Sequence, residues 1–156
     1  MRWPLALAVL LVAVPALADI TGPARIIDGD TIEIAGQRIR LNGIDAPESR
    51  QTCVADGVTW PCGQSATAAL AEFIGGMPVR CEGQGSDRYG RTIATCYVQG
   101  EDIEAWMVTN GWALAYRKFS TDYVAQEQAA KEARRGLWRG DDMTGWGTSW
   151  SRTRAQ

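Results

Sequence analysis

The sequence predicts a mainly β, α+β domain: a five-stranded barrel carrying about three helices. Three observations predict it. Short runs of β-branched residues alternate with polar ones and are parted by glycine-containing turns. One later segment repeats apolar residues at helical spacing, and two more carry helix-capping residues. The 156 residues, 46% hydrophobic and 22% charged, have the size and composition of one globular domain able to bury a core.

Residues 1–18 stand apart from that domain. Arg2 gives a positive start, residues 5–17 are mostly apolar, and Ala16-Leu17-Ala18 has the small-x-small form of an export cleavage site. An apolar stretch broken by Pro15 falls short of the roughly 20 residues that span a bilayer. The segment therefore predicts a removed signal peptide, a periplasmic or secreted protein, and no stable membrane insertion after cleavage. The domain proper is then expected over 19–140, as a monomer, with an irregular tail over 141–156.

From residue 23 to 45 the pattern is a meander. Ile32 and Ile34, then Ile39 and Leu41, alternate with Thr31, Glu33, Arg38 and Arg40, as in strands with one core face and one wet face. Asp28-Gly29 and Ala35-Gly36 mark the turns, and Pro47 ends the third strand. Residues 47–63 read as loop. Ala66, Leu70, Phe73 and Ile74 place a helix over 65–74, stopped by Gly75-Gly76. Residues 77–81 and 93–98 complete the five strands around a turn-rich stretch at 83–90. A short helix follows over 102–110, then a longer one from Ser120 or Thr121 to about Arg135.

The four cysteines, Cys53, Cys62, Cys81 and Cys96, are even in number and, after export, sit where disulfides persist. Of three possible pairings, Cys81 with Cys96 suits a hairpin across the 83–90 turn, leaving Cys53 with Cys62 to close a loop. Each bridge contributes about 3 kcal/mol on chain-entropy grounds. With no histidine and no C-x-x-C pair, a zinc site is not supported.

Charge and composition narrow the chemistry. The chain carries a net −2, one unit more negative once Arg2 is lost, so any phosphate site must be local rather than a general basic field. The absence of histidine excludes imidazole mechanisms. Carboxylates remain: Asp28, Asp30, Asp45 and Glu48 all fall at turns or strand ends of one meander. Convergent acids need a counter-ion, and Asp oxygens with a backbone carbonyl are what hard Ca²⁺ prefers. Arg40 on the same strand and Arg91 after the Asp87-Arg88-Tyr89-Gly90 turn are placed to reach one phosphate. Activated water, a metal and donors for the growing charge are what phosphodiester hydrolysis needs.

Three segments then carry a specific resemblance: Ile27-Asp28-Gly29-Asp30-Thr31, Arg40-Leu41-Asn42-Gly43-Ile44-Asp45-Ala46-Pro47-Glu48, and Asp87-Arg88-Tyr89-Gly90-Arg91. In order and spacing they resemble the successive signatures of the staphylococcal nuclease family, and the similarity runs from about residue 24 to 138. The resemblance implies an OB-fold and an exported, calcium-dependent nuclease cutting DNA and/or RNA with little sequence preference, in single-stranded or unstacked regions, leaving 3′-phosphorylated products. It implies Asp30 and Asp45 as carboxylate ligands of Ca²⁺ and Ala46 as a carbonyl ligand. Glu48 would be the general base, and Arg40 and Arg91 would hold the scissile phosphate. Tyr89 and Tyr116 align with tyrosines at the nucleotide site. Ala46 stands where well-known members have Thr, and the disulfide-closed 53–62 segment replaces a lysine-bearing loop.

Two rivals differ in class. A noncatalytic OB-fold module would bind single strands through aromatics, but the acids and arginines just named are those that noncatalytic repeats lose. An adhesion or carbohydrate-binding domain is suggested by seven tryptophans. Of these, Trp106, Trp112 and Trp138 are expected to pack on the barrel, leaving Trp60, Trp146 and Trp150 for a surface.

Overall fold

The structure, a computed structural model, describes residues 19–140. The leader and the tail, with Trp146 and Trp150, lie outside the described residues, and no helix among those described is long and apolar enough to cross a membrane. The expected meander is present as β2 (Ala24–Asp28), β3 (Thr31–Ile34) and β4 (Gln37–Leu41), preceded by β1 (Ile20–Gly22). Pairs Ile32↔Ile39 and Thr31↔Arg40 set the β3–β4 register, so Ile32, Ile34, Ile39 and Leu41 all face inward and are at most 1% exposed. Fully burying such side chains stabilises by about 1.5–3 kcal/mol each.

The polar face does not stay wet as the alternation predicts. Thr31 and Arg40 are 4% and 8% exposed, because the chain after β4 turns back through β5 (Ile44–Asp45) and covers that end of the sheet. The segment read as loop contains a hairpin, β6 (Cys53–Ala55) and β7 (Val58–Trp60), turned by Asp56-Gly57 with φ of 50° and 79°. Both turn residues are left-handed, the geometry that a two-residue Asp-Gly turn matches to twisted strands. This signal was present in the sequence.

Helix α1 (Cys62–Ile74) begins three residues before the predicted Ser65. It buries Ala66, Leu70 and Ile74 and stops at Gly75 in the left-handed conformation. β8 (Val79–Ser86) and β9 (Thr92–Val98) form the second hairpin, and Cys81 lies directly opposite Cys96. The bridges pair Cys81 with Cys96 and Cys53 with Cys62, as expected. The sheet runs β1-β8-β9-β4-β3-β2, with β4 and β9 parallel, and β10 (Glu101–Asp102) adds to β9. The five predicted strands are β2, β3, β4, β8 and β9, an arrangement consistent with the expected OB-like fold.

Helix α2 (Ile103–Thr109) is capped by Asp102, whose Oδ1 accepts from Ala105 N at 2.8 Å. After it, β11 (Leu114–Ala115) pairs with β5. Helix α3 (Val124–Glu132) is shorter than predicted: Ser120 accepts from Asp122 N in a turn rather than opening the helix. Trp106 stacks on Phe73 at 4.1 Å, as a packing residue should. Trp60, expected at a binding surface, instead meets Trp112 edge-on at 6.5 Å beneath the Arg139 guanidinium.

Candidate active site

The acid turn between β2 and β3 is the foundation of the site. Asp28 Oδ1 accepts from Asp30 N at 3.0 Å, and Thr31 donates its hydroxyl to Asp30 Oδ1 at 3.0 Å. Ala46 N donates to Asp30 Oδ2 at 2.9 Å, drawing the segment after β5 onto that turn. β5 is held in turn by β11, with Asp45 opposite Leu114, and by Tyr116 N, which donates to Gly43 O at 2.8 Å.

Arg40 sits between the acids. Its Nη2 lies 3.4 Å from both Asp30 Oδ2 and Asp45 Oδ1 and donates to the Ile44 carbonyl at 2.8 Å, while Nη1 donates to the Leu41 carbonyl at 2.8 Å. A buried carboxylate pair without such a counter-ion is strongly unfavourable. One guanidinium does not neutralise the group: burial first, and the Asp30 charge next, push the Asp28 carboxyl up to about 7, with Glu48 adding to the effect. The cluster is therefore acid-rich, and every donor in it is a hard oxygen.

Glu48 is exposed, on the turn leading out of β5. Its backbone is fastened to Gln51: Gln51 N donates to Glu48 O at 2.8 Å, and Glu48 N donates to Gln51 Oε1 at 3.2 Å. Sequence reading did not single out Gln51, since a lone polar residue in a loop carries no pattern.

Arg91 and Tyr89 belong to the β8–β9 turn. Asp87 Oδ1 accepts from Tyr89 N and Arg91 N at 2.9 and 3.0 Å, and Oδ2 accepts from Arg91 Nε at 2.7 Å. Burial acts to raise the Asp87 carboxyl, but the bonds and charge from Arg91 together with the Tyr89 bond hold it below its usual value. Tyr89 is 67% exposed, with the Arg88 and Arg91 guanidinium groups 4.8 and 5.5 Å from its ring centre. An open cleft of about 490 Å³ separates this turn from the β3–β4 turn, lined by Gln37, Arg38, Tyr89 and Arg91 among others. In the parallel β4–β9 pair Ile39 faces Thr92 and Arg40 faces Ile93, so Arg91, the residue before β9, lies at the end of the strand next to the one that carries Arg40.

The structure thus gathers Asp30, Arg40, Asp45 and Ala46 into one cluster, with Glu48 near enough to act on Asp28. Arg91 and Tyr89 line the cleft at the neighbouring turn. Tyr116 is half-buried beside Gly43, its ring 4.9 Å from the exposed Phe119. No group of three or more acid or cysteine side chains placed to hold a metal ion occurs among the described residues.

The chain is similar to known proteins over most of its length. The chain is 42% identical over 131 residues to succinoglycan biosynthesis protein ExoI of Rhizobium meliloti (strain 1021), covering 80% of this chain and 67% of that protein. It is 37% identical over 156 residues to a micrococcal nuclease of Shigella flexneri, covering 88% and 84%. It is 34% identical over 147 residues to an uncharacterized endonuclease of Escherichia coli O157:H7, covering 88% and 90%. The family described as Staphylococcal nuclease homologue matches residues 38–140, the span that carries Arg40, Asp45, Glu48 and Arg91. With that family model over most of the chain, and with these relatives, the chain belongs to the staphylococcal nuclease family.

Proposed function

We propose that this nuclease is an exported, calcium-dependent enzyme that hydrolyses phosphodiester bonds of DNA and/or RNA with low sequence specificity and leaves 3′-phosphorylated products. The observation that carries the reading is the position of Arg40 Nη2, 3.4 Å from both Asp30 and Asp45. Two carboxylates converging on one point, in an acid-rich setting of oxygen donors, fit a hard divalent cation. Asp30 and Asp45 would hold Ca²⁺ by carboxylate oxygens and Ala46 by its carbonyl, with water completing the shell. When bound, the ion supplies charge neutralisation at a phosphate oxygen.

The side chains supply the rest. Glu48, exposed at the mouth of the cluster, takes a proton from water as that water's oxygen forms its bond to phosphorus. Arg40 and Arg91 donate N–H bonds to the non-bridging oxygens, whose charge grows in the transition state. The bond to the 5′ oxygen breaks, and that oxygen takes a proton from solvent, leaving a 3′ phosphate and a 5′ hydroxyl. Tyr89, exposed in the cleft, offers a face for a base or a hydroxyl for a phosphate, and Tyr116 a second aromatic contact. Stacking of this kind needs an unpaired base, which favours single-stranded or unstacked substrate.

The two disulfides support an oxidising compartment, periplasmic or extracellular, and residues 1–18 supply the export signal. The test is release of acid-soluble nucleotides from single-stranded DNA with Ca²⁺ or with chelator, beside Glu48→Gln and Arg91→Ala. Calcium-dependent release that collapses in both variants supports the mechanism. A folded wild type that retards single-stranded DNA in a gel without cutting it, across pH and divalent metals, would favour the noncatalytic binding module.

A further inference from the structure

We infer that Gln51 and Gly63, backed by the Cys53–Cys62 bridge, form a clamp that positions Glu48 for proton transfer. The inference rests on reading Glu48 as the general base. Glu48 is exposed, and its backbone lies in neither a strand nor a helix. A general base needs its oxygen within hydrogen-bond reach of the attacking water, and a misplacement of about 1 Å can cost on the order of 10²-fold in rate.

Gln51 fixes the backbone that carries this side chain. Through Gln51 N to Glu48 O and Glu48 N to Gln51 Oε1 it closes the four-residue turn from both sides, one bond using its backbone and the other its side chain. Its remaining backbone group is also used, since Gln51 O accepts from Gly63 N at 3.0 Å. That bond joins the turn to the first residues of α1, whose Ala66 and Leu70 are buried in the barrel core.

Gly63 sets the distance. A Cβ there would collide with Glu48 O, lie 2.8 Å from Glu48 C and stand 3.1 Å from Gln51 N. Only glycine lets the helix start approach the Glu48 backbone this closely. Next to it, Cys62 is bonded to Cys53, two residues after Gln51, so the chain leaving the turn is tied to the same helix start. Hydrogen bonds, a close backbone approach and a covalent tie converge on three residues beside Glu48. The other bridge, Cys81–Cys96, joins two strands of the sheet and touches none of them.

The experiment compares the oxidised wild type with Glu48→Gln, Gln51→Ala, Gln51→Glu and Gly63→Ala, measuring kcat, KM and thermal midpoint on a single-stranded oligodeoxynucleotide in saturating Ca²⁺. Gln51→Ala is expected to lower kcat about tenfold or more, with KM and midpoint near wild type. Gln51→Glu keeps an acceptor for Glu48 N and recovers most of kcat. That recovery of kcat, with KM and midpoint unmoved throughout, is a pattern that a merely structural role would not produce. Gly63→Ala loses at least as much kcat as Gln51→Ala. An inactive Glu48→Gln beside a Gln51→Ala at wild-type kcat would overturn the clamp alone. Parallel losses of kcat, KM and midpoint that Gln51→Glu does not recover would do the same. Wild-type kcat in Glu48→Gln would overturn the base reading instead.

Discussion

Asp87 grips Arg91 at both ends of the residue, accepting from its backbone N at 3.0 Å and from its Nε at 2.7 Å. The carboxylate thus engages Nε of an arginine that lines the cleft, and its bond leaves the two Nη groups for a contact with phosphate. Asp87→Ala is expected to lower kcat/KM about tenfold or more, because the arginine regains rotamer freedom that substrate must then remove. Asp87→Asn, which keeps an acceptor oxygen, should lose less. Equal activity of all three proteins in steady-state cleavage assays would show that Arg91 needs no such support.

Arg40 Nη2 lies 3.4 Å from both Asp30 and Asp45, and both acids are buried. Arg40→Met should therefore destabilise the fold by roughly 3–5 kcal/mol without calcium, since it removes a counter-ion from two buried acids. Calcium should return part of that loss by binding the folded state more tightly than the unfolded chain. Urea unfolding with Ca²⁺ and with chelator measures both effects. A loss under about 1 kcal/mol would mean that the acids are not charged together in the native state.

Glu104 has no exposed surface, and both its oxygens lie 3.1 Å from Cys96 N. Burial, and then the neighbouring Asp102 charge, push its pKa well above the usual carboxylate range. Folded protein then keeps a proton that unfolded chain releases. Stability should fall as pH rises from the unfolded pKa toward the folded one, by up to about 1.4 kcal/mol per pH unit, and level off above it. Glu104→Gln, which keeps an acceptor for Cys96 N, should flatten that slope and be relatively more stable at neutral pH. Denaturant unfolding from pH 4 to 8 decides it.

The Cys81–Cys96 bridge spans 15 residues and joins directly opposed strand positions. Replacing both cysteines with alanine should cost about 3 kcal/mol while leaving kcat near wild type, because the bridge constrains the unfolded chain rather than the site. A fall in kcat with unchanged stability would contradict this.

Much of the molecule was legible in one dimension because it rests on local rules. The alternation Ile32-Glu33-Ile34 and Ile39-Arg40-Leu41 demands paired strands with a common inner face, and Ala66, Leu70 and Ile74 demand a helix ending at Gly75. Local rules also covered the 53–60 hairpin, whose Asp56-Gly57 turn was visible but whose segment was read as loop by composition; in the structure its flanking Val54 and Val58 are exposed and form no core face. Family motifs named the acids and arginines, and the structure set Asp30, Asp45 and Arg40 in contact.

What the sequence by itself determined is the five main strands, the approximate place of the helices, the disulfide candidates and the residues to propose for the site, since these follow from periodicity, turn chemistry, residue type and family motifs. Only the tertiary structure decided that Arg40, polar and on the expected wet face, is buried between Asp30 and Asp45, and that Gln51 and Gly63 hold the Glu48 turn. Burial of a strand's polar face depends on where a later segment returns. Close approach of a helix start to a loop depends on packing between residues distant in the chain, and neither leaves a period in the sequence.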